Sequence, residues 1–243
     1  WRVPALYASS SRIIEMEYVA DAVSIARATQ HFTPRNKQAY RRELARKFMF
    51  TLLSQVLIHQ EVHGDLHPGN VMVDRSGRLH LIDWGNTVQL SGRLAPLWRY
   101  LKGALVAEPD AVTDALIAIC TEPEAATARR AEIREAMVRT LAKRRIAPLG
   151  RHFVWTLARE GPDGWIERTQ LLGQLMSNTQ HLGLVVRADY LHLSRSASAM
   201  AGTLGGLYKG VPRHRIAADL LWVFNSFPAR ALTDAVRSRA FSR

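Results

Sequence analysis

From Asn36 to Gln60 the apolar residues recur at helical spacing. Leu44, Phe48, Leu52 and Val56 fall at every fourth position, flanked by Ala45, Met49 and Leu53. The opposite side carries Arg41, Arg42, Glu43, Arg46 and Lys47. This is the stripe of a long amphipathic helix, with Pro34 marking its approach. Ahead of it, residues 12–19 (RIIEMEYV) mix β-branched and apolar residues over a strand's length, and a helix is expected near residues 22–30. From Glu61 to Asn70 the periodicity stops. Two short strands are expected at 71–73 and 79–82, with Asp74-Arg75-Ser76-Gly77 as the turn between them. After Gly85 the pattern predicts helices over 93–106, 111–120, 122–145, 150–159, 165–181, 189–208 and 213–227. Breaks fall at Pro109, Pro148, Gly161-Pro162 and Gly210 to Pro212. The expected class is α/β, predominantly helical, with one small β-hairpin wedged between helices.

The non-periodic segment holds the chemistry. It reads His63-Gly64-Asp65-Leu66-His67-Pro68-Gly69-Asn70, and Asp83-Trp84-Gly85 begins 13 residues after Asn70. Pro68 and Gly69 let the loop fold back, so Asp65 and Asn70 can point into one cleft. Asp83 ends the second strand of the hairpin, and Gly85 frees the backbone beyond it. Three oxygen-bearing side chains can therefore meet at one edge of the hairpin. Carboxylate and amide oxygens suit a hard cation such as Mg2+ that also carries phosphate oxygens. A free carboxylate beside that cation can accept a hydroxyl proton, which is the layout of phosphoryl transfer in protein kinases. Two other readings compete. Asp65 and Asn70 can serve as turn caps only, or His63, Asp65, His67 and Asp83 can form a zinc site. His59 and His80 read as ordinary surface or core histidines.

The block resembles the catalytic loop of aminoglycoside phosphotransferases and of the UbiB atypical kinases, also called the ADCK family. Three further stretches are similar to the second family. Val3-Pro4 through Met16-Glu17-Tyr18-Val19 resembles its entry into the hinge, and Arg46-Lys47-Phe48 through Gln55 its helix before the catalytic loop. Leu90 to Asp114 resembles its continuation after the metal-binding loop. The block that aminoglycoside phosphotransferases carry at that point is absent. The resemblance implies a protein-kinase-like C-terminal lobe over 20–243, with catalytic loop 63–70 and metal-binding loop 83–85, preceded by a remnant of the N-terminal lobe and hinge over 1–19. It implies a candidate catalytic set of Asp65 and His63, the histidine holding the loop against the backbone next to Asp83. It implies a Mg2+ site at Asn70 and Asp83, and an ATP contact at Met16, Glu17 and Val19. Trp84 stands where phenylalanine is common, and His67 where protein kinases carry lysine. The family's activity would be Mg-ATP-dependent phosphoryl chemistry, kinase or ATPase, supporting isoprenoid-quinone (ubiquinone) biosynthesis in contact with quinone-biosynthesis proteins. A small-molecule phosphotransferase and a non-catalytic, pseudokinase-like scaffold are the alternatives. The family's upstream nucleotide signatures are not among these residues, so this stretch alone is expected to bind ATP weakly or not at all.

The bulk numbers add limits. The 243 residues are 47% hydrophobic and 22% charged, an ordinary globular composition. The net charge of +12 favours anionic partners such as nucleotide phosphates or an anionic membrane surface. Aromatic residues do not interleave with the basic clusters, so no nucleic-acid partner is expected. Those clusters, Arg41-Arg42, Arg46-Lys47, Arg129-Arg130, residues 143–145 and Arg237/Arg239/Arg243, read as solvated helix faces. Cys120, the single cysteine, sits in an apolar run and reads as inert core; a lone cysteine excludes an internal disulfide and fits a cytoplasmic setting, to which the family resemblance adds peripheral contact with the inner membrane. No stretch reads as membrane-spanning: 169–186 is too polar and 196–208 too short. Gly202 and Gly206 form a small-residue pair expected at a close helix contact.

Overall fold

The computed structural model describes residues 1–92, 94–143 and 153–241. Among the described residues seven short strands accompany long helices, most of which follow the last strand, so the predominantly helical expectation holds. An antiparallel pair, β1 (Leu6–Ser9) and β2 (Ile14–Met16), comes first, and both strands are exposed along their length. The central sheet has the order β3 (Val23–Ser24), β5 (Val71–Val73), β6 (Leu79–Leu81). Arg2 extends it: its N–H donates to the Leu79 carbonyl and its carbonyl accepts from Leu81, both at 2.9 Å. A third pair joins β4 (Glu61–His63) to β7 (Thr87–Gln89).

The hairpin β5–β6 forms where the apolar pattern puts it. Its turn is fixed by Asp74, whose Oδ1 accepts from the backbone of Ser76 and Arg78 and from the Ser76 hydroxyl, at 2.6–3.0 Å. Gly77 takes the left-handed conformation the turn requires (φ 72°). The helix expected at 22–30 is a correction. Val23 and Ser24 pair with Val73 and Met72, and only one turn, α1 (Ala28–His31), is helical. The free edge of β5 outcompetes local propensity there.

The long helix is α2 (Lys37–Ser54), capped by Asn36, whose side chain accepts from Ala39 N–H at 2.9 Å. Leu44, Ala45, Phe48 and Met49 are buried as the stripe predicts. A π-helical turn over Gln55–His59 follows and ends at Gln60, which is left-handed (φ 50°). Such turns break the 3.6-residue phase and recur at functional sites.

Helices α3 (Leu94–Val106) and α4 (Pro109–Ile119) match their expected spans. The single helix expected over 122–145 is two, α5 (Pro123–Ala128) and α6 (Arg130–Lys143). The Arg129 backbone departs from helical geometry between them, and its guanidinium reaches the Leu182 carbonyl and Glu132. Helix α7 (Phe153–His181) bends at Gly161 (φ 70°), just before Pro162, as the sequence break implies. The Arg168–Glu160 ion pair (2.5 Å) spans the bend. Helices α8 (Ala188–Tyr208) and α9 (Arg213–Phe241) complete the fold. α9 passes through Pro228, beyond the expected end at Phe227. That proline is exposed, where water can satisfy the carbonyl it frees. The expected break at Pro148 and helix start at Gly150 lie outside the described residues. So do Arg93, Arg144, Arg145 and Arg243 and the side chains of Arg237 and Arg239.

Two hydrophobic clusters form. One gathers β4, β7 and helices α3 to α8 around Leu116, Ile119 and Tyr190. The other gathers the central sheet, α2 and the ends of α8 and α9 around Phe48, Leu81 and Tyr208. Cys120 lies in the first, and burial pushes its thiol pKa up, in keeping with an inert core residue. The basic face of α2 is less solvated than expected. Arg42 donates twice to Asp219 of α9 (2.7 and 2.8 Å), which is 1% exposed, and Arg46 stands 3.7 Å from it. The paired Arg129 and Arg130 likewise bind acidic neighbours rather than only solvent.

Candidate functional site

The segment after the π-helical turn is held by its own backbone. Gly64 N–H donates to the Asn86 carbonyl at 2.7 Å, and a Cβ at Gly64 would run into that same oxygen. The loop around Asp65 therefore lies against the segment that follows Asp83-Trp84-Gly85. A side chain cannot intervene.

His63 is fully buried and is the hub. Its Nε2 lies 2.8 Å from the carbonyl of Ile82, the residue before Asp83. Its Nδ1 accepts the Asp65 backbone N–H at 3.1 Å. These two bonds assign the neutral tautomer with the proton on Nε2. The His63 N–H donates to Gln55 Oε1 at 2.8 Å, and its carbonyl accepts from the Ser196 hydroxyl at 2.9 Å. Both ring nitrogens are engaged with backbone, so His63 has no lone pair left for zinc. Among the described residues no group of three or more His, Cys, Asp or Glu is placed to hold a metal ion.

Asn70 ends a short 3-10 turn, Pro68–Asn70, and is 6% exposed. Its Nδ2 donates to the Asp65 carbonyl at 2.9 Å, and its carbonyl accepts from Ile82 N–H at 3.1 Å. With the nitrogen committed, the Oδ1 end of the amide is left to accept a hydrogen bond or to ligate a cation. Asp83 is exposed, takes a left-handed backbone (φ 61°, ψ 65°) and makes no hydrogen bond or ion pair among the described residues. A left-handed aspartate is uncommon and often marks a functional position. The Asp65 side chain is half-exposed, with His67 Nε2 4.0 Å away. The hairpin and loop thus bring His63, Asp65, Asn70 and the backbone before Asp83 into one hydrogen-bonded unit.

Trp84 fills its slot as expected. Its indole donates to the Leu81 carbonyl at 3.1 Å, its ring centroid lies 5.0 Å from His63, and Trp1 stacks on its outer side at 6.3 Å. His80 is a core histidine, bonded through Nε2 to Asp74 Oδ2 at 2.8 Å. Met16, Glu17 and Val19 lie apart from this unit. Met16 is 46% exposed on β2, and Val19 is half-buried. Glu17 accepts from Arg2 (2.5 Å) and from Ala5 N–H (3.0 Å). Arg2 in turn is bonded to β6, so one side chain ties this stretch to the hairpin.

Two supports of the site were not found from sequence. Gln55 carried a signal, a polar residue on the apolar continuation of α2. Ser196 carried none, since 133 residues separate it from His63.

Two uncharacterized proteins from two strains of Mycobacterium tuberculosis are similar to this chain, each 39% identical over 64 residues. The match takes in 26% of this chain and 12% of each relative. No solved structure matches. The stretch that contains the hub, the hairpin and Asp83 falls within residues 1–107, which match the family of ABC1 atypical kinase-like domains. That match is consistent with the resemblance to the UbiB/ADCK kinases.

Proposed function

We propose that the chain carries the catalytic and metal-binding half of an atypical kinase or ATPase. In this reading Asn70 Oδ1 and the Asp83 carboxylate hold Mg2+, and Asp65 accepts the proton of the attacking hydroxyl or water. The observation that carries it is a committed Asn70 Nδ2 together with an Asp83 carboxylate that has no hydrogen-bond or ion-pair partner among the described residues. An oxygen-only donor pair suits Mg2+ and disfavours softer metals. The bound cation would neutralise phosphate charge as the phosphoryl group transfers. His63 would not touch the reacting atoms. It would fix Asp65 relative to the residue before Asp83. Asp65 is half-exposed, and among the described residues only the His67 ring stands near its carboxylate, which leaves it able to accept a proton. Met16, Glu17 and Val19 would meet the adenine edge, and support of quinone biosynthesis would be the cellular role.

Mn2+ reports the metal site directly, by its electron paramagnetic resonance, and millimolar ATP in the assay populates the weak nucleotide complex expected of this stretch. Asp83→Asn removes one charged ligand and should weaken Mn2+-ATP binding about tenfold or more, since a charge-assisted contact contributes roughly 1.5–3 kcal/mol and 1.4 kcal/mol is tenfold. Asn70→Ala should weaken it too. Equal Mn2+-ATP affinity in the original chain and both variants would overturn the proposal.

A further inference from the structure

Three of the cations on the basic face of α2 have partners. Arg42 and Arg46 share Asp219, and Lys47 bonds Glu43 and the Gly77 carbonyl. Arg41 differs. Its guanidinium makes no hydrogen bond or ion pair among the described residues, and its Nε is buried without an acceptor. A buried unpaired donor costs free energy, the more so on a charged group. The side chain as a whole is only partly buried. It lines a cavity of about 180 Å³ behind the catalytic loop, together with Pro68 of that loop and Thr29 of α1.

The rest of that cavity fits one kind of ligand. No acidic residue lines it, so Arg41 is its sole charge. The Thr29 hydroxyl makes no hydrogen bond among the described residues and offers a second donor. Ile25 and Leu207 make the remaining wall apolar. The floor is Gly202 and Gly206 of α8. The close helix contact expected at this glycine pair is absent: a Cβ at either position would meet nothing within 4 Å. The glycines keep space open. The cavity is smaller than the roughly 300–1,000 Å³ of pockets that take drug-sized ligands, so a nucleotide does not fit it.

We infer that the cavity formed by Arg41, Thr29, Pro68 and the glycine floor of α8 binds the oxyanion of a small ligand, a phosphate monoester or carboxylate on an apolar body. A guanidinium with every donor free is suited to two-point binding of such a group. The apolar wall takes the body. The site stands on its own evidence and needs neither the metal nor ATP.

Phenyl phosphate, measured by calorimetry without nucleotide or divalent metal, is the probe. The full chain should bind it saturably, more tightly than inorganic phosphate, and should not bind phenol. Arg41→Ala should weaken binding about ten- to a hundredfold, the equivalent of one charge-assisted hydrogen bond. Arg75→Ala, a change of equal charge on a side chain 76% exposed at the hairpin turn, should leave it unchanged. Gly202→Leu should fill the cavity and abolish binding while the melting temperature holds or rises, because leucine replaces a glycine inside a helix where space is free. Equal affinity in Arg41→Ala and the original chain, equal losses in the Arg41 and Arg75 variants, or no saturable binding by the original chain would each overturn the assignment. Unchanged Mn2+-ATP binding in Asp83→Asn and Asn70→Ala, with phenyl phosphate binding lost in Arg41→Ala, would count against the metal reading alone.

Discussion

Replacing His63 by phenylalanine separates the holding role from any direct chemical one. Phenylalanine keeps a ring in the buried slot beside Trp84, so little cavity forms. What is lost is the Nε2 bond to the Ile82 carbonyl and the Nδ1 acceptor for Asp65 N–H. Both partners sit in part-buried surroundings. Orphaning a buried polar group costs about 1–3 kcal/mol, and partial water access keeps each loss toward the lower end. Two such losses give about 2–4 kcal/mol. For a chain of this size, with about 2–4 °C per kcal/mol, that lowers the melting point by roughly 4–16 °C. Urea unfolding followed by tryptophan fluorescence measures the first quantity, and Mn2+-ATP binding the functional one. Ser196→Ala, which removes one neutral hydrogen bond to the His63 carbonyl, should cost only about 1 kcal/mol. A His63→Phe variant within about 0.5 kcal/mol of the original, with unchanged Mn2+-ATP affinity, would refute the hub reasoning.

Asp219→Asn should destabilise by about 3 kcal/mol, because it leaves Arg42 against a core that no longer compensates its charge. A loss under about 1 kcal/mol in urea unfolding would show that α2 and α9 are held by packing alone. Asp74→Asn should show a pH signature. Burial opposes the Asp74 charge, but hydrogen bonds from His80, Ser76 and Arg78 outweigh it and hold the carboxyl well below the usual range. A depressed carboxyl contributes stability above its unfolded value, about 3.9, and loses it as pH falls through the folded value. The stability gap between the original chain and Asp74→Asn should therefore be full at neutral pH and shrink below about pH 4. A gap that widens on acidification contradicts the assignment.

The parts of the site legible in sequence are those whose partners lie close along the chain. Asp65 and Asn70 share one loop, and the Asp74 to Gly77 turn fixes the hairpin register by local hydrogen bonds. The stripe of α2 was legible because Leu44 and Phe48 need one apolar environment along one face. What escaped is long-range. β3 has two residues, β4 and β7 three each, and unlike β5 and β6 none of them is joined to its partner by a local turn that marks it. Their existence depends on edges supplied by residues dozens of positions away. The break at Arg129 depends on a carbonyl at Leu182, and the charge of α2 on Asp219. A glycine pair at helical spacing looks the same in sequence whether it admits a neighbouring helix or leaves a cavity open.

The loop over residues 63–70 joins the two hydrophobic clusters. Val62, just before His63, is buried in the helical cluster, whereas Leu66 and Val71 are buried in the cluster around the central sheet. The π-helical turn makes the same crossing, since Leu52 and Leu53 pack on the sheet side and Val56 on the helical side. Packing is apolar and tolerates sliding in a way that directed bonds do not. The four bonds of His63 run to Gln55 at the turn, to Asp65 in the loop, to Ile82 at the end of β6 and to Ser196 on α8. They set the register between clusters that hydrophobic contact alone leaves loosely defined. A shift of one cluster against the other would move Asp65 relative to Asp83 while burying nearly the same area. Stability to unfolding and geometry at the site are therefore separable here, and the hydrogen bonds at His63 are where the geometry is decided.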